Sequence, residues 1–445
     1  MESQIEAARS IAGNGLNFSI PMNTNNRLVQ PLGIFASWRL YVYGGGFALL
    51  WAMTLLSLYQ GEHWLVDKNG VPVYTDFTNV FAAGLHARHG DTAMLYIPAE
   101  SLRAQDALVG AGNSFHSTWP YPPTFFLILA PLAILPFVIA FLTWNVATLL
   151  AYIAIVYYIV RRPPAIALIL ASPFTLMNMV VGQMGFLTAS LLGAAMLFLE
   201  RRPGMAGIFI GCLTYKPQFG ILLPLALVAF RQWRAFASAI VTTALLVGVS
   251  ITAFGTGSWE AFPRELFAQA SLNLSADPEL INPLFSRRDY WVGLQTAYGL
   301  IRTLGGNAAL AWLAQGITTC AAAITVWLVW RSPVRYSLKA ATLSAAALLA
   351  TPYAHAYDLV AIAIPVAFLV RDQIGNGLLR GEQTILLALF GVSLASNSAD
   401  FLPLGPIVLI ALLGLILYRV VYHDGPSAVG VVAELQEIKS LIVIR

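Results

Sequence analysis

Apolar runs follow one another along this chain from Leu40 to Tyr418, and no polar stretch between them is long enough to fold as a soluble domain. A helix that crosses a bilayer needs roughly 17–25 mostly apolar residues. The candidates are Leu40–Leu58, Val138–Val160, Ala165–Val181, Met184–Leu199, Gly204–Tyr215, Gly220–Phe230, Phe236–Phe254, Ala308–Trp330, Leu338–Thr351, Leu359–Val370, Thr384–Ser396 and Leu402–Tyr418. These predict an all-α polytopic membrane protein of about twelve transmembrane helices, the shorter runs extending a few residues into their turns. Of the residues, 58% are apolar and 10% charged, against roughly 25% charged in soluble domains. That balance excludes a soluble enzyme carrying one anchor. The expected organisation is a cytoplasmic segment over 1–39, a membrane domain over 40–422 and a cytoplasmic tail over 423–445.

Basic residues assign the sides. With the N-terminus in the cytoplasm and the spans alternating, the inner turns hold Arg161 and Arg162, Arg201 and Arg202, Arg231 and Arg234, Arg331, Arg335 and Lys339, and Arg371 and Arg380. Each short inner turn carries at least two, as the positive-inside rule expects. Lys216 is the one basic residue in a short outer turn. The net charge of +4 follows from this loop bias, so no nucleic-acid partner is expected. Cys212 and Cys320 both lie in apolar runs, which leaves neither a disulfide framework nor a Cys-rich metal site. The run "PPTFFLILAPLAILP" from Pro122 to Pro136 is short and broken by prolines. A full crossing there would invert every later basic pair, so it reads as a re-entrant or interfacial piece on the outer side, tolerable at depth only against protein or a wet cavity. Two long outer loops remain, about 59–121 and 255–307. Their mixed stretches "FTNVFAAGLHARH" and "WEAFPRELFAQAS" suit helices lying along the membrane surface.

Ionisable groups in or at the lip of spans are costly and need a reason. Lys216 stands in "LTYKPQFG", His355 and Asp358 in "TPYAHAYDL", and Gln183 in "VVGQMGFL". Singly, each has a plain explanation: Lys216 snorkelling to headgroups, His355 hydrogen-bonded in a turn, Gln183 satisfying backbone groups freed near Gly182. By the parity above, all three turns open to the face that carries the long loops. A carboxylate there can take a proton from an attacking hydroxyl, and an ammonium and an imidazole can neutralise phosphate oxygens. Both are needed when a sugar leaves a lipid phosphate. Phosphate cradles of the G-x-x-x-x-G-K-[ST] type and zinc spacings of the H-E-x-x-H type are absent from the sequence.

The stretches "DFTNVFAAGLHARHGDTAMLY", "YPPTFFLILAPLAILP", "GQMGFL", "AGIFIGCLTYKPQFGILLPLALVAFRQWR" and "TPYAHAYDL", in that order from Arg39 to Tyr422, resemble glycosyltransferase family 87. This is the bacterial membrane family of GT-C fold that includes polyprenyl-phosphate-mannose-dependent mannosyltransferases. The resemblance implies a multi-pass protein of the bacterial inner membrane, with both termini cytoplasmic and the active site facing outward. It implies that Asp76 deprotonates an acceptor hydroxyl on a lipid or glycan, which attacks the anomeric carbon of a polyprenyl-phosphate sugar in one inverting displacement. Lys216 and His355 would meet the departing phosphate, and Gln183, Tyr121 and Tyr353 would shape the cavity. Arg88 and Asp91 are further candidates in the first loop. No metal and no cofactor is implied; the partners are the lipid-linked donor, the acceptor and membrane lipids. Mannose is the default sugar, with arabinose or another hexose open.

A flippase or secondary transporter of a lipid-linked or small polar substrate is the alternative. Transporters also use broken helices and intramembrane polar groups. They commonly show internal symmetry, which this sequence lacks, and place those groups near the midplane rather than at one face.

Overall fold

The computed structural model describes residues 38–110, 119–275, 287–395 and 402–423. Expectations for the N-terminal segment to residue 37 and the tail from residue 424 lie outside the described residues. Among the described residues the secondary structure is helical, apart from two isolated bridges, Val66 with Pro72 and Leu294 with His355.

The chain opens with α1 (Trp38–Gln60), α2 (Asp76–His89) and α3 (Pro98–Val109). A 3-10 turn over Pro123–Phe125 leads into α4 (Phe126–Leu132), followed by α5 (Phe137–Val160), α6 (Pro164–Ala171) and α7 (Pro173–Val181). Next come α8 (Gly185–Leu199), α9 (Pro203–Cys212), α10 (Leu223–Ala229) and α11 (Trp233–Phe254). The second loop carries α12 (Gly257–Ser275), α13 (Arg287–Gly293) and α14 (Ala297–Thr303). The remaining helices are α15 (Ala308–Arg331), α16 (Tyr336–Ala350), α17 (Ala363–Asn376), α18 (Glu382–Ala395) and α19 (Gly405–His423).

Five of these, α1, α5, α11, α15 and α19, are long and apolar enough to cross a membrane. α6 and α7 would form a sixth span, bent by 61° where Pro173 interrupts the helical hydrogen bonding. Of the other six apolar runs, three lengthen through 3-10 turns: Gly204–Tyr215 lies within the helix Pro203–Tyr215, Gly220–Phe230 overlaps the helix Pro217–Ala229, and Leu359–Val370 lies within the 3-10 helix Ala356–Ile362 and the α17 that continues it. α8 and α16 have 15 residues each, α17 and α18 have 14, α9 has 10 and α10 has 7. The α-helical parts by themselves reach roughly 10–22 Å at a rise of about 1.5 Å per residue, and the 3-10 turns continuous with α9, α10 and α17 add to that. Five of the six share a layout. α8, α9, α10, α16 and α17 each have basic residues beyond one end and one of the polar turns, at Gln183, Lys216 or His355, beyond the other. Gln183 and Lys216 in those turns are buried.

The proline-rich piece before α5 is the helix Pro123–Leu132, about 15 Å long, which packs against α2. The first-loop stretch expected at the membrane surface is instead sunk into protein. Phe77, Val80, Phe81 and Ala83 of α2 are buried, and their rings meet α5 edge-on, Phe77 with Phe141 at 5.2 Å and Phe81 with Phe137 at 5.2 Å. Apolar side chains occur all around α2, so it is stable only when covered all around. On α12, by contrast, Phe267 is 74% exposed.

At the opposite end of the bundle Arg419 of α19 is fully buried. Its guanidinium pairs with Asp372 and with both oxygens of Glu382, and donates to the Gly377 carbonyl at 2.7 Å. Arg335 adds a second contact to Asp372 at 3.2 Å. This network ties the starts of α16 and α18 and the end of α17 to α19.

Candidate functional site

Asp76 is the first residue of α2, where backbone N–H groups and the helix dipole favour a carboxylate. Thr75 precedes it in extended conformation, its N–H bonded to Thr78 Oγ1 at 3.2 Å, which fixes where the helix begins. Across the bundle, Gly182 ends α7 at φ 70°. A Cβ there would fall 2.6 Å from the Phe141 ring, so the turn needs glycine both for its backbone and for its packing. That reversal aims Gln183 back at α2, and Gln183 Nε2 donates to Asp76 Oδ2 at 2.9 Å. Asn178 steadies the turn by accepting the Gly185 N–H at 2.9 Å.

Lys216 follows a 3-10 turn over Leu213–Tyr215 and precedes Pro217, which forbids continuation of the helix. The side chain is buried. Its ammonium pairs with the Asp358 carboxylate and lies over the rings of Phe219 and Tyr357 at 5.2 and 5.1 Å. His355 opens the 3-10 helix Ala356–Ile362. Its backbone N–H donates to the other oxygen of Asp358 at 3.1 Å. Its ring stacks on Tyr357 at 5.5 Å and bonds to the Gly293 backbone. The Leu294–His355 bridge and the bond from Gln295 N to Ala354 O, at 2.8 Å, fasten this segment to the second long loop. Tyr121 is buried between Trp119 and Phe125, with its hydroxyl bonded to that of Tyr357.

Asp76, Gln183, Lys216, His355 and Tyr121, far apart in sequence, thus converge with Tyr357 and Asp358. Asp76 and His355 are half-buried, whereas Gln183, Lys216, Tyr121 and Asp358 are buried. Burial raises the pKa of Asp76. The hydrogen bond from Gln183 and the charges of His355 and Lys216 act against that rise, and Asp358 adds to it. A carboxylate held above its usual range is suited to take up a proton near neutrality. Burial lowers the pKa of His355, which favours the neutral imidazole.

Three expected positions are not in this group. Arg88 and Asp91 lie at the other end of α2, Arg88 about 18 Å along the axis from Asp76. Arg88 donates to the Ala133 carbonyl at 2.9 Å, and Asp91 meets His86 Nδ1 at 2.9 Å. Tyr353 packs into a separate aromatic cluster with Tyr290, Trp291 and Tyr298. Tyr357 is the neighbour that sequence reading passed over. It lies inside the "TPYAHAYDL" stretch, two residues from His355, but nothing in the sequence distinguishes it from Tyr353.

A cavity of about 700 Å³ lies beside this polar cluster rather than in it, between α1, α6, α17, α18 and α19. Its wall runs from Leu359, the residue after Asp358, in the 3-10 helix before α17, through Ala363 and Val366 of α17 to Ile374, and Arg162 and Gln383 also line it.

No curated protein and no solved structure matches the chain. The model of glycosyltransferase family 87 matches residues 119–352, a region that holds Tyr121, Gln183 and Lys216 and ends three residues before His355. That match spans more than half of the chain, so the protein belongs to glycosyltransferase family 87 and is a membrane glycosyltransferase.

Proposed function

We propose that the protein moves a sugar, mannose by default, from a polyprenyl-phosphate donor to a hydroxyl of a lipid or glycan acceptor on the extracytoplasmic face. The observation that carries the reading is the convergence of a half-buried carboxylate, Asp76, with an ammonium, Lys216, and an imidazole, His355, in one polar cluster. Asp76 takes the acceptor proton as the acceptor oxygen attacks the anomeric carbon. The bond from that carbon to the phosphate oxygen breaks, and the leaving phosphate is met by Lys216 and His355. No metal enters this reading. One face receives the acceptor and the opposite face loses the phosphate, so the product has inverted configuration.

The apolar cavity beside the site supports a donor with a long hydrocarbon chain. Its wall runs from Leu359 and Ile362 of the 3-10 helix Ala356–Ile362 to Ile374 of α17, about 16 Å of it along α17, and starts at the residue after Asp358, which pairs with Lys216. The remaining elements of the reading are about twelve crossings, both termini in the cytoplasm and the pocket facing outward in a bacterial inner membrane. They rest on the basic turns at one end of the short helices and the polar turns at the other.

The test is transfer of labelled sugar by the purified protein from polyprenyl-phosphate mannose, compared with Asp76→Asn. The variant is expected to lose at least about a hundredfold in rate, as general-base removal does. Transfer that persists undiminished removes Asp76 as the base. Absence of transfer from any lipid-phosphate sugar, together with substrate movement across vesicles, favours transport.

A further inference from the structure

The displacement described above has no task for Asp358, yet this residue organises the phosphate side of the pocket. One oxygen of its carboxylate holds the Lys216 ammonium and the other accepts the His355 backbone N–H at 3.1 Å. The two side chains of the ion pair are 3% and 0% exposed, so Lys216 stands in the buried polar cluster with its charge already matched. A buried ion pair need not add stability over an apolar packing of the same volume, which leaves a functional reason to be found.

That reason follows from the charge on the phosphate, and it rests on the function proposed above. Before transfer the phosphate is a diester with one negative charge. The bond from the anomeric carbon to the phosphate oxygen breaks with its electron pair staying on that oxygen. The acceptor oxygen bonds to the carbon and its proton passes to Asp76. The lipid phosphate is then a monoester, and with a second pKa near about 6 it carries close to two charges at neutral pH. A buried, uncompensated ammonium would therefore hold the product more strongly than the substrate, and product release commonly limits turnover.

We propose that Asp358 is a positioning residue for Lys216 whose negative charge offsets the ammonium, so that the pocket binds the donor phosphate yet releases the spent lipid phosphate. The pair presents N–H donors toward the phosphate without a full net charge. Asp358 also fixes the backbone that carries His355, so the two groups that meet the phosphate share one anchor.

The test compares wild type with Asp358→Asn, which keeps the side-chain size and an oxygen that can accept from Lys216. Donor KM, kcat and inhibition by a polyprenyl monophosphate are measured for both. The variant is expected to be inhibited by the monophosphate at least about tenfold more strongly, with donor KM lowered to a smaller degree. Its steady-state kcat should fall while the first turnover keeps its rate. An inhibition constant that rises together with KM, or that does not change, overturns the proposal and leaves Asp358 as a structural brace. A measurement on wild type alone guards against misfolding of the variant. Binding of the monophosphate is compared with that of the methyl phosphodiester of the same lipid. Affinities within about threefold are expected, and a monoester preference above about a hundredfold overturns the proposal. If wild type binds neither lipid and transfers no sugar, the functional reading itself fails. If wild type transfers sugar but Asp358→Asn inhibits like wild type, only the present inference fails.

Discussion

Replacing Gln183 by methionine removes one hydrogen bond to Asp76 while preserving most of the side-chain volume. The bond is 2.9 Å long, with its donor buried and its acceptor half-buried. Hydrogen bonds to a charged partner contribute about 1.5–3 kcal/mol, and each 1.4 kcal/mol is about tenfold in rate. Gln183→Met is therefore expected to lower kcat/KM at neutral pH by roughly ten- to a hundredfold. The sign with pH is set by which form of Asp76 reacts. As the base it must be ionised, so activity falls as pH drops through its pKa. The amide N–H favours the ionised form and holds that pKa down against the effect of burial. Without it the pKa rises, the acidic limb of the profile moves to higher pH, and activity is regained in alkaline buffer. The other groups around Asp76, namely His355, Lys216, Asp358 and Tyr74, are unchanged by the substitution. The assay is kcat/KM for sugar transfer across the pH range. A uniform loss with the acidic limb in place would refute the reasoning, because it would mean that Gln183 shapes the cavity without acting on the carboxylate.

With its ammonium assigned to the donor phosphate in the proposed function, Lys216→Ala should raise donor KM more than acceptor KM in steady-state transfer assays; an unchanged apparent donor affinity counts against that role. Arg419→Met leaves Asp372 and Glu382 buried with less compensation, and breaking such a network typically costs about 3–5 kcal/mol. A lower thermal midpoint in detergent is expected, with recovery when Asp372→Asn and Glu382→Gln are added. A midpoint equal to wild type would mean the network is not needed to hold α19 on α17 and α18.

The site was partly legible because its residues break a rule that sequence makes visible. Lys216, His355 and Gln183 are polar residues at turns between apolar runs, and the cost of placing such groups in a membrane protein marks them without any knowledge of contacts. Asp76 could not be singled out that way. The first loop contains six acids, and by composition Asp91 and Asp76 stand equal; it was the family resemblance that chose between them. In the fold the two differ, because α2 starts at Asp76 inside the bundle and ends near an exposed turn where Asp91 finds His86. Asp358 and Tyr357 lay in the motif already singled out, but their partnerships with Lys216 and Tyr121 span long stretches of chain, and such pairs leave no local pattern.

Periodicity and charge by themselves determined that this chain is helical, that it belongs in a bilayer, and which turns carry the basic residues. These follow from a local requirement, that backbone polar groups in hydrocarbon be satisfied within each segment, and so can be read one run at a time. Only the tertiary structure decided how far each run extends. Several apolar runs continue through 3-10 turns, and α2 is buried against α4 and α5. Helix ends are set by glycine and proline turns together with what packs against them, as Phe141 does against Gly182. The polar cluster is a consequence of that packing: the Asp76–Gln183 and Lys216–Asp358 pairs join turns that lie far apart in sequence.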